Sequence, residues 1–244
     1  MKKIAAILML TISGLASASS GVHLDSASVD LTDKPSLQRG AKYFVNYCMS
    51  CHSAKYMRYS RMARDLGMPD QMVQSNLMFT GEKIFDGMTV SMNPKDSKRW
   101  FGTPPPDLSL IARSRGADWL YTYLRGFYQD ESRPFGVNNI AFKDVGMPNV
   151  LWELQGTQKA VFNDETDSDG IPVKVFDHFE KTTEGTLSTE EFDKAVNDLV
   201  GFLEYVGEPG KLERQELGWK VILFLLFFLV IAYALKKEFW KDIH

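Results

Sequence analysis

The chain has 244 residues, of which 44% are hydrophobic and 24% charged, with two cysteines, four histidines and a formal net charge of −3. That balance excludes a general nucleic-acid binder, which needs a basic footprint. The charge is unevenly spread: residues 164–193 hold ten acidic residues against two lysines, whereas Lys55, Arg58, Arg61 and Arg64 form a basic run. Each reads either as a solvated face or as a docking surface.

At the N-terminus, Lys2 and Lys3 precede an apolar stretch over residues 4–15 and then Ala16-Ser17-Ala18. These are the charged, apolar and small-residue parts of a secretory signal, with cleavage expected after Ala18. The run is too short, and too interrupted by Ser13 and Gly14, for a membrane helix. Residues 19–210 then form one exported domain with a real core.

Leu37, Ala41, Phe44, Val45 and Cys48 share one face of a helix that begins near Ser36. It delivers the chain to Cys48-Met49-Ser50-Cys51-His52. That spacing is the attachment sequence of a c-type haem, in which two thiols meet the porphyrin vinyl groups and the adjacent imidazole ligates iron. A redox dithiol would prefer a βαβ setting, and the residues before Cys48 look helical. A zinc site would need more ligands than His23, His178 and His244 can supply, since His244 lies beyond the apolar C-terminal segment.

Residues 58–66 read as a short helix ended by Gly67 and Pro69. Pro94 and the run Pro104-Pro105-Pro106 mark residues 88–107 as loop, and Asp107 or Ser109 is expected to cap the next helix. Trp119, Leu120, Tyr123, Leu124 and Phe127 give a further helical stripe. Residues 132–148 read as irregular chain with a short strand, and residues 150–156 and 173–179 as extended segments flanking an acidic turn. A calcium loop at 165–176 fails because Phe176 stands where the bidentate glutamate belongs, so a hairpin turn is expected.

Ser188-Thr189-Glu190-Glu191 is a capping box, followed by an apolar stripe through Phe192, Val196, Leu199, Val200, Leu203 and Val206. Gly207, Pro209 and Gly210 end that helix, leaving a linker from residue 211. Residues 217–235 cover 19 positions, about 28 Å of helix at ~1.5 Å per residue, close to the ~30 Å hydrocarbon core. Trp219, Tyr233 and Trp240 sit near the two ends as interfacial anchors, and Lys236, Lys237 and Lys241 favour a cytoplasmic tail over residues 236–244.

Several blocks resemble the cytochrome c1 family in order: Arg39-Gly40, the Cys48 to Ser53 motif with Tyr56, Arg58 and Tyr59, then Pro105-Pro106-Asp107-Leu108-Ser109, Arg113 to Gly116, Gly146-Met147-Pro148 and the C-terminal anchor. Together they span most of residues 36–241, and their combination is far more specific than the haem motif alone. The resemblance implies a mainly α, class I cytochrome c-like haem domain with long loop insertions plus one C-terminal transmembrane helix. It implies a subunit of the cytochrome bc1 complex in a bacterial inner membrane, with the haem domain in the periplasm. There it takes electrons from the Rieske iron–sulfur protein, after quinol oxidation at cytochrome b, and passes them to a soluble or anchored c-type cytochrome. The chain is then a redox subunit rather than an enzyme on its own. No second cysteine pair is present, so any further family disulfide is absent here.

Iron that shuttles electrons without binding substrate needs a second axial ligand, and thioether sulfur raises the potential relative to a second histidine. Eleven methionines compete for that position. Met49, Met57 and Met62 are too close in sequence to His52 to reach the opposite haem face, and Met88 and Met92 occupy a suitable loop. The family match points to Met147. It also places Arg115 at a haem propionate, as a charge-assisted contact, and Pro105 and Pro106 as walls of the haem. Tyr123 reads equally as a haem neighbour or a core residue. An independent membrane-tethered carrier or oxidase partner is the alternative function, and a haem peroxidase would need an open iron position.

Overall fold

The computed structural model describes residues 23–90, 92–166 and 170–241. The expected signal segment, the tip of the acidic turn and His244 lie outside the described residues.

Helix α1, Lys34–Tyr43, starts where the Asp33 carboxylate accepts the Ser36 amide at 3.1 Å, with proline in its first turn. The chain continues through a π-helical turn, Phe44–Cys48, that ends at the first cysteine. The long helix α8, Thr189–Gly207, lies across α1 and carries the expected capping box, both halves formed between Ser188 and Glu191. Its apolar stripe is buried from Phe192 to Val206. Phe44 meets Phe202 with ring centroids 5.6 Å apart. The crossing is tight at Gly40, where an added Cβ would lie 2.0 Å from the Asp198 carbonyl oxygen. Arg39 closes it with two bonds to the buried Asp198 carboxylate, at 2.6 and 2.9 Å. Coulomb attraction and hydrogen bonding to both oxygens offset the desolvation of that charge.

Helix α2, Tyr59–Leu66, follows strand β1, Ala54–Arg58, and ends at Gly67 with φ of 73°. Helix α3 is Asp70–Asn76, and β2, Gly87–Met88, pairs with β1. Two elements differ from expectation here. Residues 94–101, expected as loop, form helix α4, Pro94–Phe101. Pro94 begins this helix rather than breaking it, because a first-turn residue has no amide bond to lose, and the Asn93 side chain caps the Lys95 amide at 2.8 Å. Neither Asp107 nor Ser109 caps helix α5, Ile111–Arg115, whose cap position is Leu110. They accept the backbone amides of Lys55 and Tyr56 at 3.0 and 3.1 Å, and so tie the chain after His52 to the proline loop.

Helix α6, Ala117–Arg125, carries the expected stripe from Trp119 to Leu124, but Phe127, expected on the same helix, lies beyond the turn at Gly126 and opens β3, Phe127–Gln129, paired with β4, Val137–Asn139. Residues 150–156 are not extended: they turn into helix α7, Trp152–Gln155. A short apolar run does not separate strand from helix, and the Asn149 side chain, accepting the Leu151 amide at 3.1 Å, selects the turn. Strands β5, Gly156–Thr166, and β6, Pro172–Glu184, form a long antiparallel hairpin from Gly156↔Glu184 to Thr166↔Pro172, as the hairpin reading of the acidic turn requires. Helix α9, Lys211–Phe239, buries no residue and has a mean hydropathy of 2.3 over its most apolar stretch. It is long and apolar enough to cross a membrane. With nine helices among the described residues and only short strands besides the hairpin, the fold is mainly α.

Candidate functional site

One apolar cavity of about 410 Å³ gathers Cys48, Cys51, His52, Pro105, Pro106, Arg115 and Met147. These residues come from four separate parts of the chain: the end of the π-helical turn, the proline loop, the end of α5 and the loop after β4. Leu199 and Leu203 of α8 and Leu120 and Leu124 of α6 close its sides.

His52 is 8% exposed. Its Nδ1 donates to the Pro106 carbonyl oxygen at 2.8 Å, which leaves the Nε2 lone pair as the free ligating atom. Burial pushes its pKa down, outweighing the Pro106 carbonyl and Asp107, and keeps the ring neutral. The proline loop is itself pinned, since the Leu108 amide donates to the Ser53 carbonyl at 2.7 Å. Pro106 therefore both lines the cavity and orients the imidazole. Burial, with Cys51 nearby, pushes the Cys48 thiol up to about 12. A reactive redox dithiol needs the reverse, a depressed pKa, so the environment argues against that chemistry.

Among the described methionines, Met147 is the one that lines this cavity. Met49, Met57, Met62 and Met88 are buried elsewhere in the core. The Tyr123 hydroxyl donates to the Met147 sulfur at 3.3 Å, and burial raises the Tyr123 pKa, so the donor stays protonated. Tyr123 is thus a site residue, stacked on Trp119 at 4.9 Å between centroids and 13° between planes. The Arg115 guanidinium lies 5.0 Å over the Trp119 ring and forms no ion pair among the described residues. An exposed guanidinium that no described carboxylate pairs, held over an aromatic ring at the cavity wall, suits an anionic group carried by a ligand.

Two residues that sequence reasoning passed over hold the Met147 loop. Asn138 and Asn139 are 4% and 1% exposed. The Asn139 amide donates to the Tyr123 carbonyl at 2.7 Å, and its oxygen accepts the Ala141 and Phe142 amides at 2.9 and 3.3 Å. Asn138 accepts the Asp144 amide at 2.8 Å and donates to Asp130 at 2.9 Å. Adjacent asparagines in an irregular stretch are the signal, because their side chains replace missing backbone partners.

The donor set fits a covalently attached porphyrin: two thiols at attachment spacing, a neutral imidazole with one nitrogen engaged, a thioether, and an unpaired guanidinium, all on one apolar cavity. A mainly helical domain with these groups, followed by one membrane-length helix, has the make-up of an anchored c-type cytochrome. Residues 26–243 match the model of the Cytochrome C1 family. The chain is 48% identical over 241 residues to cytochrome c1 of Allochromatium vinosum, covering 99% of this chain and 98% of that one. It is 47% identical to a protein named ammonia monooxygenase gamma subunit in Nitrosomonas europaea, over 98% and 97% of the two chains. Cytochrome c1 of Rhodospirillum rubrum is 28% identical over 98% and 96%. The chain belongs to the cytochrome c1 family. Membership implies covalently bound haem c and an electron-transfer subunit that is not catalytic by itself.

Proposed function

We propose that this chain is the haem c subunit of a bacterial cytochrome bc1 complex, accepting electrons from the Rieske iron–sulfur protein and passing them to a c-type cytochrome. In this reading residues 1–18 are a signal peptide, 19–210 the periplasmic haem domain, and 211–244 the linker, inner-membrane anchor and cytoplasmic tail. Cytochrome b is its partner in the membrane, and a relative named cytochrome b/c1, 26% identical over 87% of this chain, supports that pairing. One observation carries the reading: His52 and Met147, 95 positions apart in sequence, lie on one cavity with both cysteines.

When bound, a single haem c supplies a one-electron iron centre. Cys48 and Cys51 would hold it through thioethers, and His52 and Met147 would ligate its iron. The Pro106 carbonyl keeps the His52 proton on Nδ1 and the ring in one orientation. Tyr123 orients the Met147 sulfur, Arg115 would receive a propionate, and Pro105 and Pro106 would wall one side of the group.

The test is covalent haem staining after denaturing electrophoresis, together with co-purification. The wild type is expected to retain haem and to bring down a cytochrome b and a Rieske protein, and the pair Cys48→Ser and Cys51→Ser to lose the stain. Haem retained covalently by that variant overturns the site assignment. The relative from Nitrosomonas europaea favours a second reading, in which the same scaffold serves a different membrane oxidoreductase. Co-purification without cytochrome b would select it.

A further inference from the structure

On its C-terminal side, Met147 is fixed by the sequence that follows it. A residue before proline is confined to extended backbone, and Pro148 is followed by Asn149, whose side chain accepts the Leu151 amide at 3.1 Å. The N-terminal side has no such support, because Gly146 stands directly before Met147 and gives the chain its widest conformational choice. Two irregular features lie just upstream. Among the described residues, Asp144 is the one non-glycine residue with a positive φ, at 62°, in the left-handed region that L side chains rarely adopt. Among the same residues, Arg133 Nε is the one buried side-chain polar atom without a hydrogen-bond partner.

The two features are joined. Arg133 donates from Nη2 to the Asp144 carbonyl oxygen at 2.9 Å, and its Nη1 lies 3.1 Å from the Asp144 carboxylate. The Asp144 amide donates to Asn138 at 2.8 Å, so all three polar groups of this residue are held. A guanidinium that grips both the carbonyl and the carboxylate of one residue fixes its backbone and its side chain together, which a point charge cannot do. As an ion pair the contact contributes little, because the Asp144 side chain is 58% exposed. Burying Nε without a partner is unfavourable, since the group gives up its bond to water. A weak pair accompanied by a strained residue and an orphaned donor is not explained by stability, and strain of this kind gathers where a functional geometry must be held. Arg133 is well anchored to hold it. It lies in the turn between β3 and β4, where its amide donates to the Asp130 carbonyl at 3.1 Å and its own carbonyl accepts the Gly136 amide at 2.9 Å. Past Asp144, Val145 is 4% exposed and Met147 reaches the cavity wall.

We infer that Arg133 is a positioning residue for the Met147 thioether: by locking Asp144 in its left-handed turn it delivers the sulfur to the cavity and keeps the sixth iron position closed to small ligands. This inference rests on the ligand reading above and adds the residue that holds the ligand in place. Asn139 fixes the loop earlier, through the amides of Ala141 and Phe142. Arg133 acts on the last residue before the buried Val145, and so sets the direction in which Gly146 and Met147 leave it. Without the clamp Asp144 relaxes to negative φ, the chain turns away, and Met147 loses its place beside the Tyr123 hydroxyl.

The experiment uses the full-length haem-loaded protein and reads three quantities: the sulfur-to-iron absorption of the oxidised form, the reduction potential, and carbon monoxide binding by the reduced form. Arg133→Ala should weaken that absorption by about half or more, lower the potential and open the iron to carbon monoxide, with the haem still covalently attached. Arg133→Lys should do the same, since an ammonium keeps the charge but not the two-pronged grip. Adding Asp144→Gly to Arg133→Ala should restore much of the absorption, because glycine takes a positive φ without the clamp. A role in stability alone would not be rescued in this way. Arg99→Ala, which breaks the exposed Arg99–Asp96 pair, is the control and should leave all three readings unchanged. With Met147→Leu lacking the absorption, any of three results overturns the inference alone: full absorption without carbon monoxide binding in Arg133→Ala, wild-type behaviour of Arg133→Lys, or no recovery on adding the glycine. If Met147→Leu keeps the absorption, the ligand reading fails and the inference fails with it.

Discussion

Gly40 and Gly201 belong to the same pair of crossed helices, yet their substitution by alanine should have opposite effects. A Cβ at Gly201 would make ordinary contacts, 3.5 Å to Leu37 and 3.6 Å to Val29. Only the helix-propensity gain then remains, about 0.5–1 kcal/mol of stabilisation. At Gly40 the added carbon would stand 2.0 Å from the Asp198 carbonyl oxygen and 2.7 Å from the Phe202 Cβ. Both obstacles are at the helix backbone or its first side-chain carbon, so no rotamer change relieves them. The helices must part by roughly 1 Å, loosening the Phe44–Phe202 contact and the Arg39–Asp198 bonds; overpacking of this kind costs about 1–3 kcal/mol, toward or beyond the upper end when backbone is displaced. After the propensity gain, a net loss of about 2 kcal/mol remains, or roughly 4–8 °C in melting temperature for a domain of this size. Thermal melts of the haem-loaded protein, followed at the haem absorption band, measure it. A Gly40→Ala protein melting at or above the wild type would show that the crossing is not set by this contact.

Met147→Leu keeps comparable bulk and removes the sulfur, so covalent haem should persist while the sulfur-to-iron absorption near the red end disappears and the potential falls; an unchanged band and potential would exclude Met147 as ligand. Asn139→Leu should weaken the same band by releasing the Met147 loop from α6, whereas Val73→Ala, a core truncation in α3, should lower the melting temperature without touching the band. Equal bands in wild type and Asn139→Leu would reduce the asparagine to an ordinary structural residue. Tyr205 has its pKa raised by burial and by Asp65, which accepts its hydroxyl at 3.0 Å. Its neutral form is the one the fold favours, so its contribution is complete below the unfolded value near 10 and lost as pH rises through the folded value. Denaturant unfolding at about pH 8 and about pH 11 should show a stability loss that Tyr205→Phe partly removes, and parallel pH dependence in both proteins would contradict the assignment.

The elements legible in the sequence are those whose signal is local. The capping box of α8 and the period of its stripe are each written within a few residues, as is the apolar face of α1, and the cysteine motif is written within five. Helix α4 was hidden because Pro94 is ambiguous locally: a breaker inside a helix, a starter in its first turn, and only the Asn93 cap decides between them. Residues 150–156 were hidden for the related reason that an apolar run fits strand or helix, until Asn149 forces a turn and Gly156, with φ of 83°, ends it.

The site divides along the same line. Cys48, Cys51 and His52 are contiguous, so their chemistry follows from spacing alone. Met147 required the family resemblance, because the property that distinguishes it from the other methionines is its place on the cavity wall. That place depends on Asn138 and Asn139, which satisfy loop amides that no regular element could pair, and on a bond from Asn139 to the Tyr123 carbonyl. Irregular backbone near an apolar cavity must find its hydrogen-bond partners in side chains, because water is excluded there and an unpaired amide costs about 1–3 kcal/mol. Long loops around a cofactor therefore need a small number of buried amides whose partners are distant in sequence. Asn139 and Tyr123 are 16 residues apart, and His52 and Pro106 are 54 apart, so neither bond leaves a periodic trace. The two proposed ligands are served by the same device, a buried side-chain nitrogen donating to a backbone carbonyl, and each bond becomes visible only once the chain is folded.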